Sequence, residues 1–331
     1  MAVIAVYFNK VFEENENIYP VKPEMLAGNT GRNRIGFFVL AILLLLFATN
    51  FLSNAYILIG EILVVLIIHE LGHFLMMRFF RAKAQGMFFM SFLGNMTKSL
   101  QFSHSQKQQT MINLMGPLPG VILGCGLFLV VLYSEPNIYL IEIALLLLGI
   151  NLLNLIPIDP FDGGRIISGF FFNRNDQMKM IYTLSSSIIM IVAGVYFSFI
   201  PLTIFGFLMG LKVRSYQKSK ELHEQLDETN VNYKKEYSEL TNREYWKIRN
   251  IFLRNNPKLK EMIPNGYTLW ENERLLMEQV RQVLRIDIKP DLGVFGKFLI
   301  ILVMVILTVT PILLILSNYE LIEWYMENAN I

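Results

Sequence analysis

Long apolar runs, separated by short polar segments, dominate the pattern of this chain. A run of about 20 apolar residues is long enough for a helix to cross a bilayer. The runs lie at residues 35–53, 56–80, 111–133, 138–156, 179–196, 199–213 and 295–317. They predict an all-α polytopic membrane protein with about seven transmembrane helices. Only the segment FSFIPLT separates the fifth and sixth runs, so they form either a helical hairpin or one long helix.

Composition and charge choose between these topologies. The chain is 53% hydrophobic and only 17% charged, whereas soluble domains carry about 25% charged residues. If the two runs form a hairpin, all 29 lysines and arginines fall in or beside segments on one side of the membrane, at 1–34, 78–110, 157–180 and 212–297. Because basic loops stay in the cytoplasm, we predict a multi-pass protein of the cell membrane with a cytoplasmic N-terminus. The net charge of +2 gives no reason to expect a nucleic-acid partner.

Three ionisable residues interrupt the second apolar run, in the sequence HELGH. His69 and His73 are four residues apart, so they share one helical face and both can bind one metal ion. Glu70 lies about 100° further round the helix, where it can act as a general base toward a water molecule. Ionisable residues inside a membrane helix are costly and usually mark function. The spacing is that of the His-Glu-x-x-His zinc proteases.

A third metal ligand is predicted from the segment NLLNLIPIDPFDGGRI, residues 151–166. A catalytic zinc ion needs three protein ligands and an open position. Two prolines end the preceding helix, and a glycine pair then permits a tight turn. A carboxylate at this break can fold back toward the histidines, and both Asp159 and Asp162 are candidates.

The two motifs together resemble the site-2 protease family of intramembrane zinc metalloproteases. Its members carry His-Glu-x-x-His on one membrane helix and Asn-x-x-Pro followed by Asp-Gly on a later one, as HELGH (69–73) and NLIPIDPFDGG (154–164) do here. The resemblance covers about residues 56–170. It implies a zinc endopeptidase that hydrolyses a peptide bond in or near a transmembrane segment of a membrane-bound substrate, close to the cytoplasmic face.

The resemblance also assigns roles to individual residues of this chain. It implies that Zn²⁺ is bound by His69, His73 and Asp162. It makes Glu70 the catalytic base, and Asn154 would donate a hydrogen bond to the substrate or to the oxyanion of the transition state.

Two alternatives stay open beside this interpretation. Asp159 departs from the family pattern and is a rival third ligand or a hydrogen-bond partner of the ligand. A non-proteolytic membrane metal-binding or transport protein would use the same residues without cleavage. The other intramembrane acids, Glu61 and Glu142, fall near the outer helix ends instead of along a path, and metal binding alone does not need Glu70. Both observations favour the protease.

The remaining segments complete the predicted organisation. Gly116, Gly120 and Gly124 are spaced to let membrane helices pack closely. Residues 84–105 predict a β-hairpin or re-entrant loop, which either binds an unwound substrate as an added strand or lies at the lipid headgroups. Residues 214–294 predict a helical cytoplasmic module that links two spans or, as the less favoured interpretation, gates the site or docks a partner.

These predictions divide the chain into successive regions. The order is a cytoplasmic N-terminal segment (1–34), a membrane protease domain (35–213), a helical cytoplasmic domain (214–294), a C-terminal transmembrane helix (295–317) and an extracytoplasmic tail (318–331). The protease domain contains the zinc-motif helix (56–80), the Gly-rich helix (111–133) and the Asn-Pro-Asp-Gly helix (138–164). The expected partners are a membrane-spanning substrate and membrane lipid.

Overall fold

The computed structural model of the chain describes residues 19–24, 55–81, 105–172, 175–261, 263, 267–285 and 288–328. These residues are mostly helical, and the β contact found among them is one isolated parallel bridge between Ser105 and Lys289. The helices are α1 (Ala55–Phe79), α2 (Gln106–Met115), α3 (Pro117–Tyr133), α4 (Ile138–Leu155), α5 (Asp162–Phe171), α6 (Asp176–Tyr196), α7 (Ile200–Glu228), α8 (Asn242–Arg254), α9 (Pro257–Lys260), α10 (Glu273–Val283), α11 (Val294–Ser317) and α12 (Tyr319–Asn328).

The chain divides into two compact units. The first, called here the membrane unit, comprises Thr30–Val213 and Ile288–Ile331. The second, the polar unit, comprises Met1–Asn29 and Arg214–Asp287.

Five described helices are long and apolar enough to cross a membrane. They are Ile57–Phe79, Gln106–Tyr133 (α2 and α3 taken together), Ile138–Leu155, Asp176–Tyr196 and Val294–Ser317. These helices coincide with five of the seven predicted spans and fit the class of all-α membrane proteins. The predicted span at 35–53 lies outside the described residues, as does the predicted β-hairpin at 84–105 except for Ser105. The predicted span at 199–213 forms the first half of α7, which continues into polar sequence.

Helices α6 and α7 form a hairpin, as the charge pattern predicted. The chain reverses at Ser198, whose φ is +53°. The Ser187 hydroxyl of α6 donates a hydrogen bond of 2.7 Å to the Gly206 carbonyl of α7. A side chain at Gly194 would overlap Thr203 on the facing helix. The two helices therefore pack side by side, and one continuous helix is excluded.

The break after α4 brings α5 directly against its end. Ile156, the residue before a proline, has an extended ψ of 134°, as expected where a proline prevents the helix from continuing. Gly163 and Gly164 lie in the first turn of α5, and a Cβ on either would overlap backbone carbonyls of residues 155–158. We expected this glycine pair to supply a turn at positive φ. Instead, the pair is helical, and what it provides is space for the close approach of backbone to backbone.

The polar unit has its own aromatic-rich core around the fully buried Tyr245 and Trp246. Residues 19–24 belong to this unit, although the sequence suggested a separate N-terminal segment. The Trp246 indole N–H donates to the Pro20 carbonyl at 2.8 Å, and the Tyr237 hydroxyl donates to the Pro23 carbonyl at 2.8 Å. A short extended segment from the start of the chain thus completes a fold built mainly from residues beyond 213.

Candidate metal centre

Two histidines of α1 and one aspartate of α5 meet inside the membrane unit. The Nε2 atoms of His69 and His73 lie 3.2 Å apart, and Asp162 Oδ2 lies 3.1 Å from each of them. All three side chains are buried. Within the described part of the chain, this is the group of histidine and acidic side chains whose ligand atoms are close enough to hold one ion.

Hydrogen bonds at the far side of each imidazole determine where its proton lies. His73 Nδ1 faces the Ile112 carbonyl at 2.8 Å, and a carbonyl oxygen only accepts, so Nδ1 carries the proton. His69 Nδ1 faces Asn151 Oδ1 at 2.8 Å. The amide is turned this way because Asn151 Nδ2 donates to the Leu147 carbonyl at 2.8 Å. Each neutral ring therefore presents the lone pair of its Nε2 to the centre.

These three ligand atoms fit a tetrahedral zinc ion. Zinc bonds of about 2.0–2.1 Å at tetrahedral angles place ligand atoms roughly 3.3–3.4 Å apart, close to the observed 3.1–3.2 Å. Without a metal, one extra proton could form a hydrogen bond between two of the three ligand atoms. The third ligand atom would still face a lone pair. A cation at the centre satisfies all three atoms. The residues present thus fit Zn²⁺, for which two imidazoles and a carboxylate are common ligands.

Arg165 orients the Asp162 carboxylate. Its guanidinium donates to Asp162 Oδ1 at 3.2 Å, so one carboxylate oxygen faces the arginine and the other faces the histidines. Asp162 also occupies the first turn of α5, where the positive end of the helix dipole favours a negative charge. The carboxylate is therefore held ionised and in a fixed direction.

Asp159, the rival ligand, faces a different part of the unit. Its Oδ2 accepts a hydrogen bond of 2.9 Å from the Thr183 hydroxyl, and its backbone N–H donates to Ser186 Oγ at 3.1 Å. Lys212 Nζ lies 3.8 Å from the same carboxylate. Asp159 thus ties the loop before α5 to the α6–α7 hairpin, and of the two aspartates it is Asp162 that lies with the histidines.

The two residues assigned to catalysis lie on α1 and α4. Glu70 is half-buried on α1 and directly follows the ligand His69. Asn154 is half-buried on α4, and its Nδ2 donates to the Ile150 carbonyl at 2.9 Å. An amide nitrogen carries two N–H donors, so this bond uses one of them. Their roles in catalysis stay predictions.

The three spaced glycines, Gly116 before α3 and Gly120 and Gly124 within it, do more than the sequence suggested. Gly124 packs against Leu148 of α4, where an added Cβ would come within 2.8 Å of the leucine side chain and force it to shift, as expected for close helix packing. A Cβ at Gly116 would instead overlap the imidazole of His73, and one at Gly120 would overlap the Asn151 amide. In the sequence, these glycines lie between the two motif helices, and that position could have indicated a role at the site. Their spacing alone did not show which side chains they accommodate.

Comparisons with known proteins give one similar structure. The protein-family models and the curated proteins compared with this sequence gave no match. Among solved structures, the site-2 protease from Methanocaldococcus jannaschii is 23% identical over a match that covers 55% of this chain and 87% of that chain, with a TM-score of 0.37. A similarity at this level does not establish membership of a family.

Proposed function

We propose that this protein is a membrane-embedded zinc endopeptidase. The observation that carries the proposal is the triangle formed by two Nε2 lone pairs and one carboxylate oxygen, 3.1–3.2 Å apart. The residue that follows the first histidine, Glu70, is an acid at the position used by the general base of zinc proteases. A site for metal binding alone has no need of this carboxylate.

The side chains divide the chemistry among themselves. Zn²⁺, when bound by His69, His73 and Asp162, supplies a Lewis acid that polarises a peptide carbonyl and makes water more acidic. Glu70 accepts the proton of the attacking water and returns it to the leaving amide nitrogen. The Asn154 amide donates a hydrogen bond to the oxyanion that develops on the carbonyl oxygen.

The surroundings of the site support a membrane-bound peptide as the substrate. The three ligands lie on α1, which is apolar enough to span the membrane, and on α5 beside the end of another such helix. Large apolar side chains are exposed on α1 and α4, among them Ile67, Leu71 and Leu153, as expected for surfaces that contact lipid. We therefore propose cleavage in or near a transmembrane segment, close to the cytoplasmic face.

The orientation of the chain is part of this proposal and has its own test. Positive loops favour a cytoplasmic N-terminus. A reporter placed after residue 135 should then be extracytoplasmic, and one placed at residue 230 should be cytoplasmic. An extracytoplasmic signal at residue 230 would contradict the charge argument.

Replacing Glu70 by glutamine tests the enzymatic assignment. A carboxamide of the same size cannot accept the proton, whereas the three ligands are unchanged. We expect Glu70→Gln to retain its zinc and to lose cleavage by about 100- to 10,000-fold, the usual value of a general acid–base group. Quantitative mass spectrometry of new peptide N-termini in membranes measures cleavage whichever membrane protein is the substrate.

A glutamate on the same helix provides the matched control. Glu61 also lies on α1, about two and a half turns before Glu70, so Glu61→Gln makes the same chemical change away from the ligands. It should keep both zinc and cleavage products. A Glu70→Gln protein that holds zinc and yields wild-type products would contradict the protease and favour the metal-binding alternative.

A further inference from the structure

A buried asparagine beside the metal centre belongs to neither sequence motif. Asn151 lies on α4 and is completely buried, with 0% of its surface exposed. Burying an amide in an apolar environment costs several kcal/mol unless its hydrogen bonds are made. The amide makes them with two partners, the Leu147 carbonyl and the His69 imidazole, each at 2.8 Å. Leucine, the common residue of this helix, could make neither hydrogen bond. The asparagine at this position therefore has a role that an apolar residue cannot provide.

We propose that Asn151 is a positioning residue that sets the tautomer and the ring orientation of His69 for metal binding. Its Oδ1 accepts the Nδ1 proton, so the Nε2 lone pair points to the centre. With the amide reversed, Nδ2 would face Nδ1 and the imidazole proton would move to Nε2, where it blocks the metal. The Leu147 carbonyl prevents that reversal, because it accepts hydrogen bonds and never donates them. This inference rests on the proposed metal site.

The neighbouring helix leaves room for this arrangement. Gly120 of α3 lies against the Asn151 amide, and a Cβ at this position would overlap the amide atoms. Even alanine would therefore push the amide away from His69. A Cβ at Gly124, one turn further along α3, would also be crowded, but by the side chains of Leu148 and Leu147 at 2.8–3.1 Å and not by the amide. The two glycines thus form a matched pair, of which only Gly120 should influence the metal.

The two ligand histidines are positioned by different means. His73 is held by the main-chain carbonyl of Ile112, which no substitution removes, whereas His69 is held by a side chain. Hydrogen-bond partners of metal-binding histidines are typically worth about 10- to 100-fold in metal affinity. Asn151 is therefore the residue at which a substitution can change how a ligand histidine is positioned.

Zinc titration of the full-length protein in detergent, with a competing chelator, tests the inference. We expect Asn151→Leu to weaken zinc binding by about 10- to 100-fold. Asn151→Asp keeps an acceptor for the Nδ1 proton and should recover most of the affinity. Gly120→Ala should weaken zinc binding in the same direction, whereas Gly124→Ala should bind zinc as the wild type does.

A spectroscopic measurement separates positioning from a general loss of structure. Nitrogen NMR of the metal-free protein with labelled histidine should show His69 with its proton on Nδ1 in the wild type, and a mixture of tautomers in Asn151→Leu. The inference is overturned if Asn151→Leu and Gly120→Ala bind zinc with wild-type affinity, or if the tautomer is unchanged. A wild type that binds no zinc but shows the Nδ1 tautomer would instead refute the proposed function and leave the hydrogen bond intact.

Discussion

The two units each bury a polar cluster, and the clusters differ in whether a side-chain cation faces every electron-pair donor. In the polar unit, the completely buried Arg249 pairs with Glu273 through bonds of 2.6 and 3.0 Å. The Tyr245 hydroxyl adds a bond of 2.6 Å to the same carboxylate. In the membrane unit, a buried carboxylate faces two imidazole lone pairs 3.1 Å away.

This difference distinguishes a structural cluster from a binding site. The Arg249–Glu273 cluster contains its own cation, which donates to both oxygens of its carboxylate. In the cluster of His69, His73 and Asp162, Arg165 donates to Oδ1 of the aspartate. The two imidazole lone pairs and Oδ2 are directed at a common point, and the cation that would satisfy these three atoms comes from solution. Burial and polarity alone therefore do not identify a functional site, whereas an excess of electron-pair donors does.

The largest effect that we predict is the loss of metal from an Asp162 variant, and it tests the contrast between the two clusters. Asp162→Ala removes one of three ligands and the negative charge of the site, so zinc should fall from about one ion per chain to a small fraction. Asp159→Ala provides the control, because this aspartate faces Thr183 and the α6–α7 hairpin. Elemental analysis of the purified proteins measures both. Loss of zinc in Asp159→Ala alone would reverse the assignment of the ligand.

Substitutions in the Arg249–Glu273 cluster should change the stability of the protein instead of its metal content. Arg249→Met leaves Glu273 buried without its cation, and breaking a buried ion pair costs about 3–5 kcal/mol. The double variant Arg249→Met/Glu273→Met should regain much of this loss, since it leaves no unpaired charge. Urea unfolding followed by tryptophan fluorescence gives the free energies, because Trp246 and Trp270 both lie in the polar unit. Equal losses in the single and double variants would show that packing, and not charge, is what matters there.

Metal removal should affect one unit only. A ligand at about 100 times its dissociation constant stabilises the folded state by about 2.7 kcal/mol. Chelation should therefore increase hydrogen exchange in α1 and α5, which carry the ligands, and leave exchange in α8 and α10 unchanged. Equal changes in all four helices would contradict the separation of the two clusters.

Sequence patterns predicted the parts of the centre that depend on local spacing. The four-residue separation of His69 and His73 defines one helical face, whatever the tertiary structure. The choice between Asp159 and Asp162 was beyond local reasoning, since it depends on which aspartate meets the α6–α7 hairpin. Asn151 was missed because an amide in an apolar run has no characteristic spacing.

In the polar unit, two features depend on tertiary packing and could not be predicted from the sequence. The Arg249–Glu273 pair joins α8 to the start of α10, and no periodicity links residues so far apart in different helices. The docking of residues 19–24 depends on carbonyl groups, which leave no trace in a pattern of side chains. By contrast, five of the long apolar spans and the α6–α7 hairpin followed from hydrophobicity and charge alone.

The smallest expected effect is the pH dependence of the polar unit. Burial alone would raise the pKa of Glu273, but hydrogen bonds from Arg249, Tyr245 and the Trp270 backbone N–H outweigh it and hold the pKa below its ordinary value. An acid whose pKa is lowered by folding stabilises the protein above its unfolded pKa, about 4.3 for glutamate. That contribution is lost as the pH falls through the lower, folded pKa.

Glu273→Gln should therefore be less stable than the wild type at pH 7 but lose less stability on acidification. Glu244 has a lowered pKa for a related reason, since hydrogen bonds from Lys235 and Thr241 outweigh its burial, so some acid sensitivity should persist in the variant. Glu244→Gln should show a smaller change than Glu273→Gln, because Glu244 is more exposed and its ion pair is better screened by water. Urea unfolding at a series of pH values between about 7 and 3 measures each slope. If the wild type and Glu273→Gln lost stability in parallel below about pH 4.3, the Arg249–Glu273 cluster would not hold its carboxylate ionised. The contrast between this ion pair and the metal centre would then fail.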